Sequence, residues 1–398
     1  MVVEAANEGN AAEPDAKGGL PYFRTAPEIE RNLVTVANVT MENQLSPGSS
    51  GSTRCGYTKY WCVSAPGTSM AAPHVSGALG VLMQRFAYLD GGRVADILKT
   101  TATDLGDEGV DALFGWGLIN LGKAIDGPGQ FLNRFEANLG SGVSDVWRND
   151  ISQEALDQRK TEEQAEIAAW TERKTALGLE NGIPENLADN IVVALQPDLA
   201  EGKRLLEAAV LASTVDGYIE AGFSFDQRDA ALAAVKTNPA GAALLAAYEQ
   251  THQGWADSFR FSGANDYADF IATLGDDAAI LTRLAAEQAD AIRIEYPRSE
   301  ARVSDLAKRV YDAGLTKSGE GVLVLAGRNS YHGDTIVDGG QLLIAEGGAI
   351  QSASVVNSSG YLGVDGEAAG VTVNGGGIMG GRPPGGAGGV EVDKAGIM

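Results

Sequence analysis

The chain has 398 residues, 44% of them apolar and 21% charged, the composition of a globular protein with room for two or three domains. Its 53 acidic side chains against 30 basic ones leave a net charge of −23, an excess that repels phosphate and anionic lipid and so excludes nucleic acid as a partner. No run of about twenty apolar residues occurs, so no membrane span is expected, and the first residues lack the basic-then-apolar pattern of a signal peptide.

Residues 1–9, MVVEAANEG, open on a β-branched run and turn at Asn7-Glu8-Gly9, which predicts a buried strand running into a loop. Residues 10–30, rich in Ala, Gly and Pro, read as a surface loop, and NLVTVANVT at 32–40 reads as a second strand of the same sheet. A Gly- and Ser-rich segment then carries Cys55 and Cys62, the only cysteines of the chain. With no histidine near them in sequence they make no zinc site. A disulfide, which implies an oxidising compartment, and a pair of unbonded small apolar side chains are the two readings left.

The string GTSMAAPHVSG at 67–77 leads into Val75, Leu79, Leu82 and Phe86, one face of a helix, while small residues keep its other faces slim enough for a crowded core. Pro73 belongs only in a first helical turn, so the helix starts close to Ser69 and sets that hydroxyl at the positive end of the helix dipole. Ser69 is then either a helix N-cap or a nucleophile. A second amphipathic helix is expected over 91–103 with Val94, Ile97 and Leu98 inward, followed by the turn FGWGLIN at 114–120.

From Ile151 to Ala176 the sequence is charged and helix-favouring, predicting one long exposed helix. Further helical patterns cover 187–195, 199–215, 227–235, 240–248, 267–274, 278–294 and 299–313. Beyond Gly314 short β-branched runs such as VLVL at 322–325 and VTV at 371–373 alternate with glycine pairs, the pattern of a β-helix whose rungs bury their inward faces against one another.

The eleven residues GTSMAAPHVSG resemble, position for position, the nucleophile motif of the subtilisin-like serine proteases. The cysteine loop with WCVSAP at 61–66, and the later FGWGLIN, resemble the autotransporter branch of that family, and LTKSGEGVLVLAGRNSYHGDTIVDGGQLLI at 315–344 resembles the repeat that follows autotransporter passengers. The resemblance implies an α/β catalytic fragment with a parallel sheet and flanking helices at 1–127, an Ala-rich helical domain at 128–312, and a right-handed parallel β-helix at 313–398. It implies Ser69 as nucleophile, with its own backbone N–H as one oxyanion donor and the Asn7 amide as the other; 62 residues separate the two. Ala6 stands where the family usually has Gly. The implied substrates are polypeptides and the implied location is extracellular or the bacterial cell surface. No cofactor is implied, although calcium occurs in the family.

The family also needs an Asp and a His, in the order Asp, His, Ser. Of three histidines, His74 lies five residues past Ser69 on the same helix, rotated by about 140° and raised by about 7.5 Å, while His252 and His332 lie far along the chain. The base and its carboxylate are therefore expected in an upstream segment, and the chain alone is expected to be nearly inactive. The alternative is a non-catalytic passenger or adhesin with a degenerate protease domain. If the fragment is incomplete, 1–127 should be the first part digested by protease, leaving a resistant core from Ile151.

Overall fold

The computed structural model describes residues 1–5, 33–42, 44, 52–67, 69–214, 222, 224–252, 266–381 and 390–392. Asn7 and the 10–30 loop lie outside them. The chain divides into two compact units, one made of residues 1–167 and 304–398 and the other of 168–303.

In the first unit β1 (Val2–Glu4), β2 (Val34–Val39) and β3 (Cys62–Pro66) form a parallel sheet in that order. All six residues of β2 are buried, as expected of a strand covered on both faces. Helix α1 (Ala71–Arg85) lies on the sheet through Ala71, Val75, Ala78, Leu79 and Leu82, and Phe86 closes the stripe. Its small residues predicted burial all round; instead Pro73, His74, Ser76, Gly77, Gly80 and Val81 are exposed. Helix α2 (Gly91–Thr100) follows, capped by Asp90, whose carboxylate accepts from the Arg93 N–H at 2.9 Å, with Val94, Ile97 and Leu98 fully buried.

The glycines of the 114–117 turn are there for space. Gly115 has φ +64°, and a Cβ on it would lie 2.3 Å from the Cys62 carbonyl oxygen; Gly117 has φ +89° and would meet the Thr103 carbonyl at 2.2 Å. Between them Trp116 donates its indole N–H to the Tyr60 carbonyl at 2.9 Å. Cys55 and Cys62 are joined as a disulfide, which ties the short 3-10 helix Gly56–Trp61 to the start of β3.

The β-helix has three parallel faces. One stacks Phe135–Asn138, Leu315–Ser318, Thr335–Val337, Ser354–Val356, Val371–Val373 and Val390–Val392; a second stacks Ser144–Trp147, Val322–Leu325, Gly340–Ile344, Gly360–Val364 and Ile378–Gly381; the third is the short stack Arg328–Asn329, Ala349–Ile350 and Glu367–Ala368. Alternate residues point inward, as in Thr335 and Val337. Phe131, Phe135, Trp147 and Tyr331 fill the first rungs, with neighbouring ring centroids 4.8 to 5.3 Å apart. Buried Asn329 spends its amide on the carbonyls of Gly327 and Ala349, at 3.0 and 2.8 Å.

Two boundaries differ from the sequence reading. The helical domain was expected to take in residues 128–312, with its first helix from Ile151, but Phe135–Asn138 pairs with Leu315–Ser318 and Ser144–Trp147 with Val322–Leu325, so the first rung precedes the helical segment. The helices are an insertion between two rungs. Second, one apolar cluster runs from Val34 and Val63 through Leu82, Ile97, Phe135 and Trp147 to Leu315 and Val373, and it includes Ile151. A separately digestible 1–127 does not follow from such a core. Its polar seam is equally continuous: buried Asp145 of the first rung accepts from the Arg85 guanidinium at 2.6 Å and from the Tyr88 hydroxyl at 2.5 Å, and Tyr88 accepts from the Trp147 indole at 3.0 Å.

The second unit is helical, with Leu187–Leu195, Leu199–Ala212, Phe225–Thr237, Pro239–Thr251 and Asp266–Leu274 between the two helices Glu154–Ala176 and Asp277–Ala307 that enter and leave it. Its core holds Leu206, Leu244, Tyr248, Phe270, Ile280 and Leu284. Leu199–Ala212 and Pro239–Thr251 approach closely because Gly202 has no side chain; a Cβ there would lie 2.5 Å from the Gly241 nitrogen. The helices expected at 278–294 and 299–313 are one, Asp277–Ala307, which runs through Pro297. An interior proline costs about 3 kcal/mol, and bonds on both sides offset it: Arg173 to Glu295 at 2.9 Å, and Glu300 accepting from the Trp170 indole at 2.6 Å and from Lys174 at 3.0 Å. Among the described residues no single helix is long and apolar enough to cross a membrane.

Candidate active site

In a parallel sheet the loops that leave the carboxyl ends of the strands are where function concentrates. Ala5, Val39 and Pro66 mark that edge here. The Ala5 N–H donates to the Val36 carbonyl at 2.9 Å and the Gly67 N–H to the Val39 carbonyl at 3.0 Å, so the last residues of the strands are held before the chain turns. Gly67 turns it with φ +84°, a conformation that a side chain would strain. Ser69 follows on the entry turn to α1.

The geometry bears on the capping reading of Ser69. The residue at the helix N-cap is Met70, and among the described residues no side chain caps the end. Ser69 is exposed, and among the described residues neither its hydroxyl nor its backbone N–H makes a hydrogen bond. A capping serine would be bonded to an N–H two or three residues on. Pro73 stands in the first turn, where a missing N–H costs nothing, and no acidic residue stands there to neutralise the helix end. The hydroxyl is thus available beside a positive helix terminus.

His74 serves the loop instead of the hydroxyl: its Nδ1 lies 3.1 Å from the Pro66 carbonyl oxygen, fixing the helix to the end of β3. His332 is 3.1 Å from the Gln153 side-chain nitrogen in the β-helix, and His252 stacks on Tyr248 in the helical unit with ring centroids 4.1 Å apart. Among the described residues no group of three or more His, Cys, Asp or Glu is arranged to hold a metal. Asn7, the expected second oxyanion donor, lies outside the described residues, two positions beyond Ala5. Asp145 and Lys317 escaped sequence reasoning. Lys317 is fully buried and donates to the carbonyls of Ser318, Gly319 and Gly339 at 2.8 to 3.0 Å, and its burial pulls the ammonium down to about 8.

The comparisons with known proteins match both the segment that carries the sheet and α1 and part of the β-helix. Residues 1–117 match the subtilase family and residues 315–344 the passenger-associated transport repeat. The matched regions resemble those of a subtilisin-like autotransporter. Among curated proteins the chain is similar to an extracellular serine protease of Serratia marcescens (39% identity over 34% of this chain and 16% of the relative), to serotype-specific antigen 1 of Mannheimia haemolytica (38% over 38% and 18%), and to the Neisserial autotransporter lipoprotein NalP of Neisseria meningitidis serogroup B (34% over 35% and 16%). The chain spans less than a fifth of the length of these relatives.

Proposed function

We propose that the chain is part of an exported serine endopeptidase of subtilisin type that hydrolyses polypeptides through an acyl-enzyme on Ser69. The observation that carries this reading is the uncapped, exposed Ser69 at the amino end of α1. In the reaction a base takes the Oγ proton as Oγ attacks the scissile carbonyl carbon, and the same base returns the proton to the departing amine; water then releases the acyl group by the reverse sequence. The negative charge that develops on the carbonyl oxygen is met by the Ser69 backbone N–H, the helix dipole and the Asn7 amide. The base and its orienting Asp come from a segment upstream of Met1, so the chain alone is feebly active or inactive. The enzyme works outside the cell or at the bacterial surface, including the outer membrane.

A second reading rests on a different observation. The subtilase segment and the β-helix share one core, so the segment would also serve as the cap of a non-catalytic passenger or adhesin. Translating the DNA upstream of Met1 separates the two, because in-frame Asp- and His-bearing motifs support the peptidase and their absence supports the cap. In protein with that segment restored, Ser69→Ala should abolish peptide cleavage while leaving the fold intact, a loss on the order of a millionfold as known for subtilisin itself, a relative by family. Asn7→Ala should slow turnover about a hundred- to a thousandfold. Equal cleavage by wild type and Ser69→Ala would sink the peptidase reading.

A further inference from the structure

The turn that follows α2 holds a buried carboxyl group outside the chemistry of Ser69. Asp111 is 9% exposed, and its two oxygens have different surroundings. Oδ1 accepts from the backbone N–H groups of Leu113 and Phe114 at 2.6 and 2.8 Å, whereas Oδ2 is buried with no hydrogen-bond partner. Oδ2 instead lies against Gly106, where a Cβ would come within 2.5 Å of it and 2.9 Å of the Phe114 ring. The charges around the group come from three elements. Its own loop supplies Asp104, Asp107 and Glu108, all acidic. The disulfide loop supplies Arg54 and Lys59, neither of them paired with Asp111; Lys59 and the Tyr60 hydroxyl are both held by Glu162, each at 2.7 Å. The helix that carries Glu162 meets the turn through neutral Gln158, whose amide bonds the Val110 N–H and C=O at 3.0 and 2.8 Å. Burial pushes the Asp111 carboxyl above its ordinary value; the N–H dipoles of Phe114, Leu113 and Asp107 oppose that shift, and the Asp104 carboxylate adds to it.

The turn is a joint of the serine-bearing scaffold. Asp111 and Gly115 exchange backbone bonds at 3.2 and 3.1 Å, and the Leu113 and Ala112 carbonyls accept from the Cys55 and Gly56 N–H groups at 3.2 and 2.8 Å. The Phe114 carbonyl accepts from the Ser64 hydroxyl at 3.0 Å and the Gly117 carbonyl from the Ser64 N–H at 2.8 Å. Ser64 lies in β3, which ends at Pro66, so the joint holds the strand that leads to Ser69. With Oδ1 already receiving two N–H groups, a proton taken up by Asp111 goes to Oδ2. There it removes the cost of a buried negative charge and the repulsion from Asp104, and it leaves both N–H bonds in place. We propose that Asp111 is a pH-sensitive latch: in acidic surroundings Oδ2 takes a proton from solvent, and the 104–117 turn closes more tightly on the disulfide loop and β3.

The test compares Asp111→Asn with wild type in calorimetry of the intact chain, reading the transition of the 1–167 and 304–398 unit from about pH 7 down to about pH 4. Asparagine keeps an acceptor for Leu113 and Phe114 and has the shape of the neutral acid without the charge. The folded-state value of Asp111 lies above the ordinary 3.8. The stability that the neutral form supplies is therefore complete below about 3.8 and is lost as pH rises through the folded-state value. At about pH 7 the variant should melt above wild type, and as pH falls wild type should gain on it until the gap closes. Hydrogen exchange of wild type gives an arm that needs no folded variant. Corrected for their intrinsic rates, the Cys55 and Gly56 amides should be severalfold better protected at about pH 5 than at about pH 7, while the Ala349 amide, bonded to the Gly327 carbonyl in the β-helix, should change less. The latch is overturned if the folded variant melts below wild type at about pH 7, if the gap is the same at both ends of the range, or if Cys55 and Gly56 are no better protected in acid.

Discussion

The two compact units solve the burial problem in opposite ways. The 168–303 unit closes a core of its own around Leu206, Leu244 and Ile280. The other unit has no such self-sufficiency in its parts, because the sheet and helices that carry Ser69 and the rungs of the β-helix contribute to a single apolar cluster. A β-helix needs its end covered, since an uncovered first rung would expose apolar side chains and open strand edges. Here that cover and the serine-bearing scaffold are the same residues. The lesson is that sequence modules and physical domains need not coincide: the segment matched at 1–117 ends inside a core that continues to the far rungs.

Three changes test this contrast, beginning with the largest. Trp147→Ala removes a fully buried side chain from the junction, against Phe135 and under Tyr88, and should cost about 3–5 kcal/mol. Calorimetry should show the transition of the 1–167 and 304–398 unit falling while that of the helical unit stays; a fall of both together would mean the two cores are not independent. Next, loss of the disulfide by Cys55→Ser with Cys62→Ser should lower the same transition by about 2.5 kcal/mol in the chain-entropy account of so short a loop. A free-thiol count on oxidised, denatured wild type should be near zero.

The smallest expected effect is at Lys317, where Lys317→Met leaves three carbonyls without their donor and should cost about 1–3 kcal/mol at neutral pH. Burial lowers the folded-state value of this ammonium from 10.5 to about 8. Between those two values the unfolded chain binds the proton that the folded chain has released, so the Lys317 contribution to stability rises as pH rises from about 8 toward 10.5. The difference in stability between wild type and Lys317→Met, measured by denaturant unfolding, should widen across that window. A constant difference would contradict the shift.

Much of the architecture was legible because it rests on local periodicity. The Val75, Leu79, Leu82, Phe86 spacing located α1, Leu187–Leu195 was read to the residue, and the β-branched runs of the later rungs were found where they are. The first rung was missed because FEAN and SDVW are four-residue strands with one or two large apolar residues each, and what makes them strands is partners nearly two hundred residues away. The break read between 278–294 and 299–313 is absent for a related reason, the local penalty of Pro297 being answered by Trp170, Arg173 and Lys174 from another helix. Of the site, the motif made Ser69 conspicuous, but whether it capped the helix depended on where the first turn begins.

The placement of the insertion has a consequence for the order in which the chain assembles. Within the β-helix, successive rungs pair residues such as Leu315 and Thr335, 20 positions apart, whereas the first junction pairs Phe135 with Leu315, 180 positions apart. Closing the longer loop as a flexible chain costs about 2 kcal/mol more, a penalty that shrinks once the helices have folded and shortened the distance between its ends. The later rungs can therefore zip together on their own, while docking of the first rung, and with it the cover that carries Ser69, waits for the insertion. The serine-bearing segment, which emerges before the insertion, is thus the last of these parts to reach its final position, and the serine becomes properly placed only when the shaft behind it has formed.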